Sequence, residues 1–246
     1  MTRTAETVFA GRLALLNAPV DVRAAGRLAR YQAMLEDWNT RMNLTGDAGL
    51  EATLDRHFMD SLAPLQIAGL FPEGATLIDV GTGAGFPGLA LAIARPDLQI
   101  TLLDSLQKRL TFLDAVVDDL ELPRVRTVHA RAEDAARDPA LRERFDVAVA
   151  RAVASAPVLL ELLLPFVCTG GQALCYKGPA AADELEGGAF AACLLGGAVP
   201  RALAVEVPLQ PEWQHCVLAC AKVRPTPERY PRKAGVPARE PLDTLR

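Results

Sequence analysis

The residues best suited to chemistry stand in one run, Leu77-Ile-Asp-Val-Gly-Thr-Gly-Ala-Gly-Phe-Pro-Gly88. Glycines at alternate positions (Gly81, Gly83, Gly85) let a backbone take positive φ and approach a ligand closely. Pro87 suits the first turn of a following helix, where its missing N–H costs nothing. The run therefore reads as a cofactor cradle between a strand ending at Val80 and a helix. A dinucleotide fingerprint fits only out of register, as Gly83-x-Gly85-x-x-Gly88, and puts Asp79 where such folds keep an apolar residue. A second acid, Asp104, ends the next strand in Leu-Leu-Asp-Ser, and Ala132-Glu133 stand at the end of the third.

Further along, Arg151 and Lys177-Gly178 end two more strands. Arg151 reads either as half of a surface ion pair with Glu133 or Asp134, or as a paired cation that borders both cofactor and acceptor and acts by positioning. Lys177 is a strand-end lysine or a phosphate contact. His57 and Asp60 read as a capping or packing pair more readily than a reactive one. Tyr230, Arg232 and Lys233 combine an aromatic ring with cations, the ingredients for stacking on bases and attracting phosphate, or for a strap over the sheet.

These residues need a sheet whose strands end at a common rim. Short apolar runs at 76–80, 100–103, 125–129, 145–150 and 173–176 alternate with helical stretches, which predicts a parallel sheet covered on both faces. Runs at 203–207 and 217–222, with no helix between them, predict a terminal antiparallel hairpin. Upstream, Leu28, Tyr31, Leu35 and Trp38 mark one helix face ending near Asn43. Leu50, Leu54, Phe58, Leu62 and Leu65 mark a second, with His57 at its border. The expected organisation is a helical region over 1–75, a cofactor-binding domain over 76–222 and a basic, proline-rich segment over 223–246, which composition alone makes a loose tail.

The chain has 246 residues, half of them apolar and 23% charged, enough to bury a large core. No run of 18 apolar residues occurs, and no apolar stretch of a secretory signal follows Met1, so a cytoplasmic location without a membrane span is expected. The five cysteines are odd in number and lack a C-x-x-C pair, which predicts buried free thiols, with no metal. Cys216 and Cys220, four apart on a strand, should face one side. The net charge of −4 divides into −1 over 1–60, −7 over 61–221 and +4 over 222–246. As a whole it disfavours a nucleic-acid partner; segment by segment it permits one gripped by a local basic surface.

An acid before Gly-x-Gly-x-Gly, with a second acid ending the next strand, resembles class I S-adenosylmethionine (SAM) methyltransferases. That resemblance implies an α/β, Rossmann-like sheet of seven strands, mostly parallel with an antiparallel last strand, preceded by a helical region. With Asn43-Leu-Thr-Gly46, Arg56-His-Phe-Met-Asp-Ser-Leu62, Leu103-Asp-Ser-Leu-Gln-Lys-Arg109, Phe145-Asp, Ala150-Arg-Ala152, Lys177-Gly178 and Tyr230-Pro-Arg232, the chain resembles the bacterial 16S ribosomal RNA guanine-N7 methyltransferases, the glucose-inhibited division protein B family. The match runs over about residues 35–242. It implies transfer of a methyl group from SAM to N7 of guanine 527 of 16S rRNA, numbered in the reference RNA. It also implies cofactor contacts at Gly81, Phe86, Ala132, Glu133 and Arg151. The wider class adds Asp79 and Asp104, with Gly83 and Gly85 completing the loop.

The residues test that acceptor independently. Enzymes that methylate exocyclic amines place an Asn/Asp-Pro-Pro-aromatic turn after the fourth strand, where this chain has Ala150-Arg-Ala-Val-Ala-Ser155. Those that methylate pyrimidine C5 need a cysteine nucleophile, usually after proline, and no cysteine here follows one. Guanine N7 has an in-plane lone pair and no proton, so alignment suffices. Arg151 and Lys177 are the candidate catalytic residues, and Arg109, Lys177, Tyr230, Arg232 and Lys233 the candidate RNA contacts. Arg3, Arg12, Arg23, Arg27 and Arg30, with the cations from Arg224 to Arg246, are candidate phosphate contacts. Because the A-form major groove is closed to side chains, the target base must be unpaired or splayed out. The partner is 16S rRNA or a small-subunit assembly intermediate, met by a monomer. The residues alone leave open a small-molecule acceptor, an NAD-dependent oxidoreductase and a non-catalytic RNA binder.

Overall fold

The fold is that of a computed structural model, which describes residues 4–46, 48–151 and 154–243. Two helices, α1 (Ala5–Ala14) and α2 (Ala24–Asn39), come first. A helical stretch follows, made of α3 (Leu50–Thr53), a wide π-type turn (Leu54–Met59), α4 (Asp60–Leu62) and a 3-10 turn (Ala63–Gln66). The alternating part runs β1 (Thr76–Val80), α5 (Gly88–Ala94), β2 (Gln99–Asp104), α6 (Gln107–Asp119), β3 (Val125–His129), α7 (Ala132–Ala135), β4 (Phe145–Ala150), α8 (Ala156–Leu163) and β5 (Val167–Lys177). It is completed by α9 (Leu185–Leu195), β6 (Arg201–Ala204), β7 (Cys216–Ala221) and α10 (Val236–Arg239).

The seven strands form one sheet in the order β3-β2-β1-β4-β5-β7-β6. β1 to β5 pair in parallel, and β7 runs antiparallel to both β5 and β6. Lys177 at the end of β5 pairs with Cys216 at the start of β7. The antiparallel strand therefore begins at the rim where the parallel strands end, and that rim is where open α/β sheets bind ligands.

Strand alternation divides the core in two. Leu77, Leu102, Val149, Leu174 and Tyr176 face α1, α2, the 50–66 stretch and α5, whose Phe9, Tyr31, Phe58 and Leu89 are buried against them. Ile78, Ala148, Cys175 and Cys220 face α8, α9 and the C-terminal segment. Phe58 packs edge-on against Phe9, Tyr31 and Phe86 with ring centroids 5.0, 5.1 and 5.0 Å away. Each such pair adds about 0.5–1.5 kcal/mol beyond its burial, so this cluster fixes the 50–66 stretch against the glycine-rich loop that carries Phe86.

Three expectations need correction. The second upstream helix is not regular: its π-type turn exposes the carbonyls of Arg56 and His57 to an outside donor, Arg151. A donor competing for helix carbonyls lengthens the main-chain bonds and distorts the turn. The thiols are not all buried, since Cys193 is exposed and Cys168 and Cys216 are half-buried. All five are free, and Cys216 and Cys220 do share a face.

The C-terminal segment is a strap, not a loose tail. Arg142 donates to the carbonyls of Tyr230 and Thr226, each at 2.9 Å, and Arg137 donates to that of Pro231. Buried Lys222 donates to the carbonyl of Leu164 and the hydroxyl of Thr226, both at 2.6 Å. Two candidate RNA contacts are thereby reassigned. Tyr230 is buried in the second core, where no base can stack on it. Arg232 forks onto the fully buried carboxylate of Glu161 at 2.7 Å and donates to the Glu240 carbonyl, so its charge is spent inside the fold. Lys233 remains exposed.

Candidate active site

The turn after β1 is tied to β2: Gly81 and Thr82 both donate their N–H to the carbonyl of Leu103. Gly81, Gly83 and Gly85 all have positive φ, of 73°, 62° and 100°, yet they do different work. A Cβ on Gly81 would meet nothing within 4 Å, and one on Gly83 only the Gly81 carbonyl at 4.0 Å. The backbone there faces open space. A Cβ on Gly85 would stand 2.6 Å from the Tyr31 hydroxyl and 2.9 Å from Leu113, so that glycine permits close packing beneath the loop and does not face a ligand. Gly88 likewise lets α5 start against Leu102 and Asp79.

Asp79 is fully buried. One carboxylate oxygen, Oδ2, accepts from the Thr82 hydroxyl at 2.6 Å and the Gly88 N–H at 2.8 Å. The other, Oδ1, has no partner among the described residues. Burial pushes its carboxyl up to about 6 despite those two bonds and the Arg151 charge. Asp104 accepts from Gly83 N–H and Leu106 N–H, each at 2.9 Å, and Arg109 lies 3.3 Å from its Oδ2. Arg109, expected at RNA, thus pairs with the carboxylate that holds the glycine turn, and its buried Nε also lacks a partner among the described residues. Two orphaned buried polar atoms flank one open backbone turn, the features of a site that a polar ligand completes. Glu133, at the start of α7, accepts from Gly235 N–H at 2.8 Å, which joins the end of β3 to the strap.

Arg151 is the hub of the rim. It donates to the carbonyls of Arg56 and His57 at 3.1 and 3.2 Å, to Asp60 Oδ2 at 3.1 Å and to His57 Nδ1 at 3.2 Å. Its guanidinium lies 5.2 Å from the centroid of the Phe86 ring, on which His57 also stacks. It is paired, as a positioning cation should be, but with Asp60, 91 residues upstream, instead of Glu133 or Asp134. Burial and the neighbouring Arg151 and Arg56 charges lower the His57 imidazole to about 4, so it is neutral at physiological pH and accepts from Arg151. Asp60 Oδ1 accepts from His215 Nδ1 at 2.7 Å. Lys177 is committed elsewhere: its Nζ donates to the Ala154 carbonyl at 2.5 Å and to Glu184 at 2.6 Å, leaving the side chain 8% exposed. That burial corrects the expectation of a phosphate-gripping lysine.

Among the terminal arginines, Arg12 is locked onto Asp55, while Arg30 pairs with Asp119 and Arg23 with Asp21 at the surface. Arg224 donates to the Cys193 carbonyl, and Arg229 stands over the Tyr230 ring. Arg3 and Arg246 lie outside the described residues. No helix among the described residues is long and apolar enough to cross a membrane.

A family model described as GidB, rRNA small subunit methyltransferase G, matches residues 25–207. The chain belongs to this family. Its relatives named ribosomal RNA small subunit methyltransferase G include one from Alkaliphilus oremlandii, 44% identical over 227 residues that span 92% of this chain and 94% of that one. Another, from Acetivibrio thermocellus, is 44% identical over 212 residues, 86% of each chain. Among solved structures, a proposed SAM-dependent methyltransferase of Methanococcus maripaludis superposes with a TM-score of 0.51 at 15% identity, covering 71% of this chain and 90% of its own. A chain from the Haloferax volcanii complex of the Trm112 methyltransferase activator gives 0.55 at 13% identity, covering 79% and 98%. These likenesses establish the methyltransferase fold, and family membership makes the chain a methyltransferase.

Sequence reading missed His215 as part of the rim. The signal was present, because His215 directly precedes an antiparallel strand that begins where the parallel strands end.

Proposed function

We propose that this enzyme transfers the methyl group of SAM to N7 of guanine 527 of 16S rRNA, the guanine being unpaired or splayed out. The observation that carries the reading is the open Gly81–Gly83 turn flanked by the unpartnered Asp79 Oδ1 and by Asp104. These residues fit SAM. An orphaned buried carboxylate oxygen suits a cationic ligand, and the carboxylate ending β2 stands where a ribose diol binds in the wider class. Glycine backbone that faces open space admits the nucleoside. In this reading Asp79, Gly81, Gly83, Phe86, Asp104, Ala132, Glu133 and Arg151 form the cofactor wall, with Gly85 packed behind it.

Bound there, SAM supplies an electrophilic methyl group on a sulfonium. N7 brings its own in-plane lone pair, so no side chain has to remove a proton and the protein's task is alignment. Arg151, neutralised by Asp60 and tied to two carbonyls of the 50–66 stretch, holds the Phe86 loop and the acceptor side in one frame. A free cation there would oppose the positive charge that develops on the guanine; the Asp60 partner removes that conflict.

The test is to incubate the protein with methyl-labelled SAM and 16S rRNA from cells lacking the activity, then map the modified nucleotide. Label on N7 of that guanine is expected, along with weaker binding as salt rises. RNA that takes up no label refutes the reading.

A further inference from the structure

Beside Arg151 lies a cavity of about 190 Å³. Its walls include Asp60, Pro64, Arg151, Tyr176, Val205 and His215, so it opens between the ends of β4 and β5, the 50–66 stretch and the start of β7. The volume suits a single purine base. One side chain separates it from the loop, since Arg151 lines the cavity and also stands over the Phe86 ring.

The polar side chains of this cavity are almost all engaged. Both oxygens of Asp60 hold partners, one Arg151 and the other His215. The Tyr176 hydroxyl donates to the Ser61 carbonyl at 3.0 Å. Lys177 is held by Ala154 and Glu184. An ionised carboxylate only accepts, so the proton of the His215–Asp60 bond belongs to Nδ1. In the neutral imidazole this bond leaves the lone pair on Nε2, and Nε2 has no partner among the described residues. The ring is further held by Trp213, 5.2 Å away between centroids.

We propose that His215 Nε2 recognises the Watson–Crick edge of the target base by accepting its N1–H, with Asp60 fixing the imidazole's tautomer and orientation. This inference rests on the guanine-N7 reading above. Guanine carries a hydrogen on N1, whereas adenine offers a lone pair there, so one acceptor separates the two purines. The contact also favours the reaction. As N7 gains positive charge, N1–H becomes more acidic, and its bond to Nε2 strengthens between the bound base and the transition state. His215 comes from the β6–β7 connection, so recognition of the base and grip on the cofactor arise from different parts of the sheet.

The experiment uses full-length enzyme with SAM and 16S rRNA fragments carrying guanine, inosine or 2-aminopurine at the target position. Inosine keeps N1–H, and 2-aminopurine lacks it. Wild-type enzyme is expected to methylate inosine nearly as well as guanine and to discriminate strongly against 2-aminopurine. His215→Ala should lower kcat/KM on guanine roughly 10- to 100-fold, leave the KM for SAM unchanged and lose most of the discrimination. His215→Gln, whose amide oxygen accepts, should recover part of both, which a merely structural role would not produce. Wild-type enzyme that labels no guanine N7 overturns the functional reading and this inference together. Wild-type enzyme that labels it, while His215→Ala folds and still rejects 2-aminopurine as strongly, overturns the inference alone.

Discussion

Replacing Asp79 with asparagine separates what this carboxylate does for folding from what it does for binding. The side chain is fully buried, and its carboxyl is raised from an ordinary 3.8 to about 6. Keeping it ionised at pH 7.5 therefore costs the fold about 3 kcal/mol, at about 1.4 kcal/mol per pH unit. In Asp79→Asn the amide oxygen can still accept from Thr82 and Gly88, and the amide nitrogen takes the place of the unpartnered Oδ1. A buried donor without a partner costs about 1–3 kcal/mol, so the two effects nearly offset. Urea unfolding of the ligand-free proteins at pH 7.5 should differ by less than about 2 kcal/mol, in the direction of a more stable variant. Titration calorimetry should show SAM affinity falling at least tenfold. The pH dependence supplies a signed check. Because the folded state holds this proton more tightly than the unfolded chain, the carboxyl contributes stability that is full below about pH 4 and lost as pH rises through about 6. That component should vanish in the variant. An asparagine variant destabilised by more than 3 kcal/mol that binds SAM like wild type would make Asp79 a packing residue and refute the reasoning.

The two kinds of glycine in the loop should part under substitution. Gly81→Ala meets open space and should cost only the strain of its positive φ, about 1–2 kcal/mol, while placing a methyl group against the cofactor and weakening SAM binding in calorimetry. Gly85→Ala drives its Cβ into Tyr31 and Leu113, so its main loss should be thermal stability, seen as the larger fall in Tm of the two. Arg232→Ala uncovers the fully buried Glu161 and should destabilise the fold by about 3–5 kcal/mol in chemical unfolding. The folded fraction of that variant should bind rRNA with little change, where an RNA-contacting arginine would lower the affinity.

Much of the scaffold was legible because it depends on local periodicity. β1, β3 and β4 lie at the bounds read from apolar alternation, and the hairpin of β6 and β7 at the end of the sheet follows from two strand-like runs with no helix between them. β5 is longer than the apolar run at 173–176: its first half, around Thr169-Gly-Gly-Gln172, lacks apolar alternation and becomes a strand only through pairing with its neighbours. The glycine turn and its two acids were legible for the same local reason. The partners of Arg151, Arg232 and Lys177 were not. Each depends on a carboxylate whose proximity arises from packing, as with Glu161, 71 residues before Arg232. By default solvent is the place for a charge, which is why Arg232 and Lys177 read from sequence as RNA contacts; the fold supplies acceptors for them inside.

The strap has a consequence for how this chain can change. Arg137 and Arg142, in the connection before β4, hold the carbonyls of Thr226, Tyr230 and Pro231. Every amino acid supplies a carbonyl. That part of the clasp is written in the body of the enzyme and is blind to the letters of the segment it fastens, so exposed positions such as Pro227, Glu228 and Arg229 are free to drift, or to be rewritten by an engineer, without undoing it.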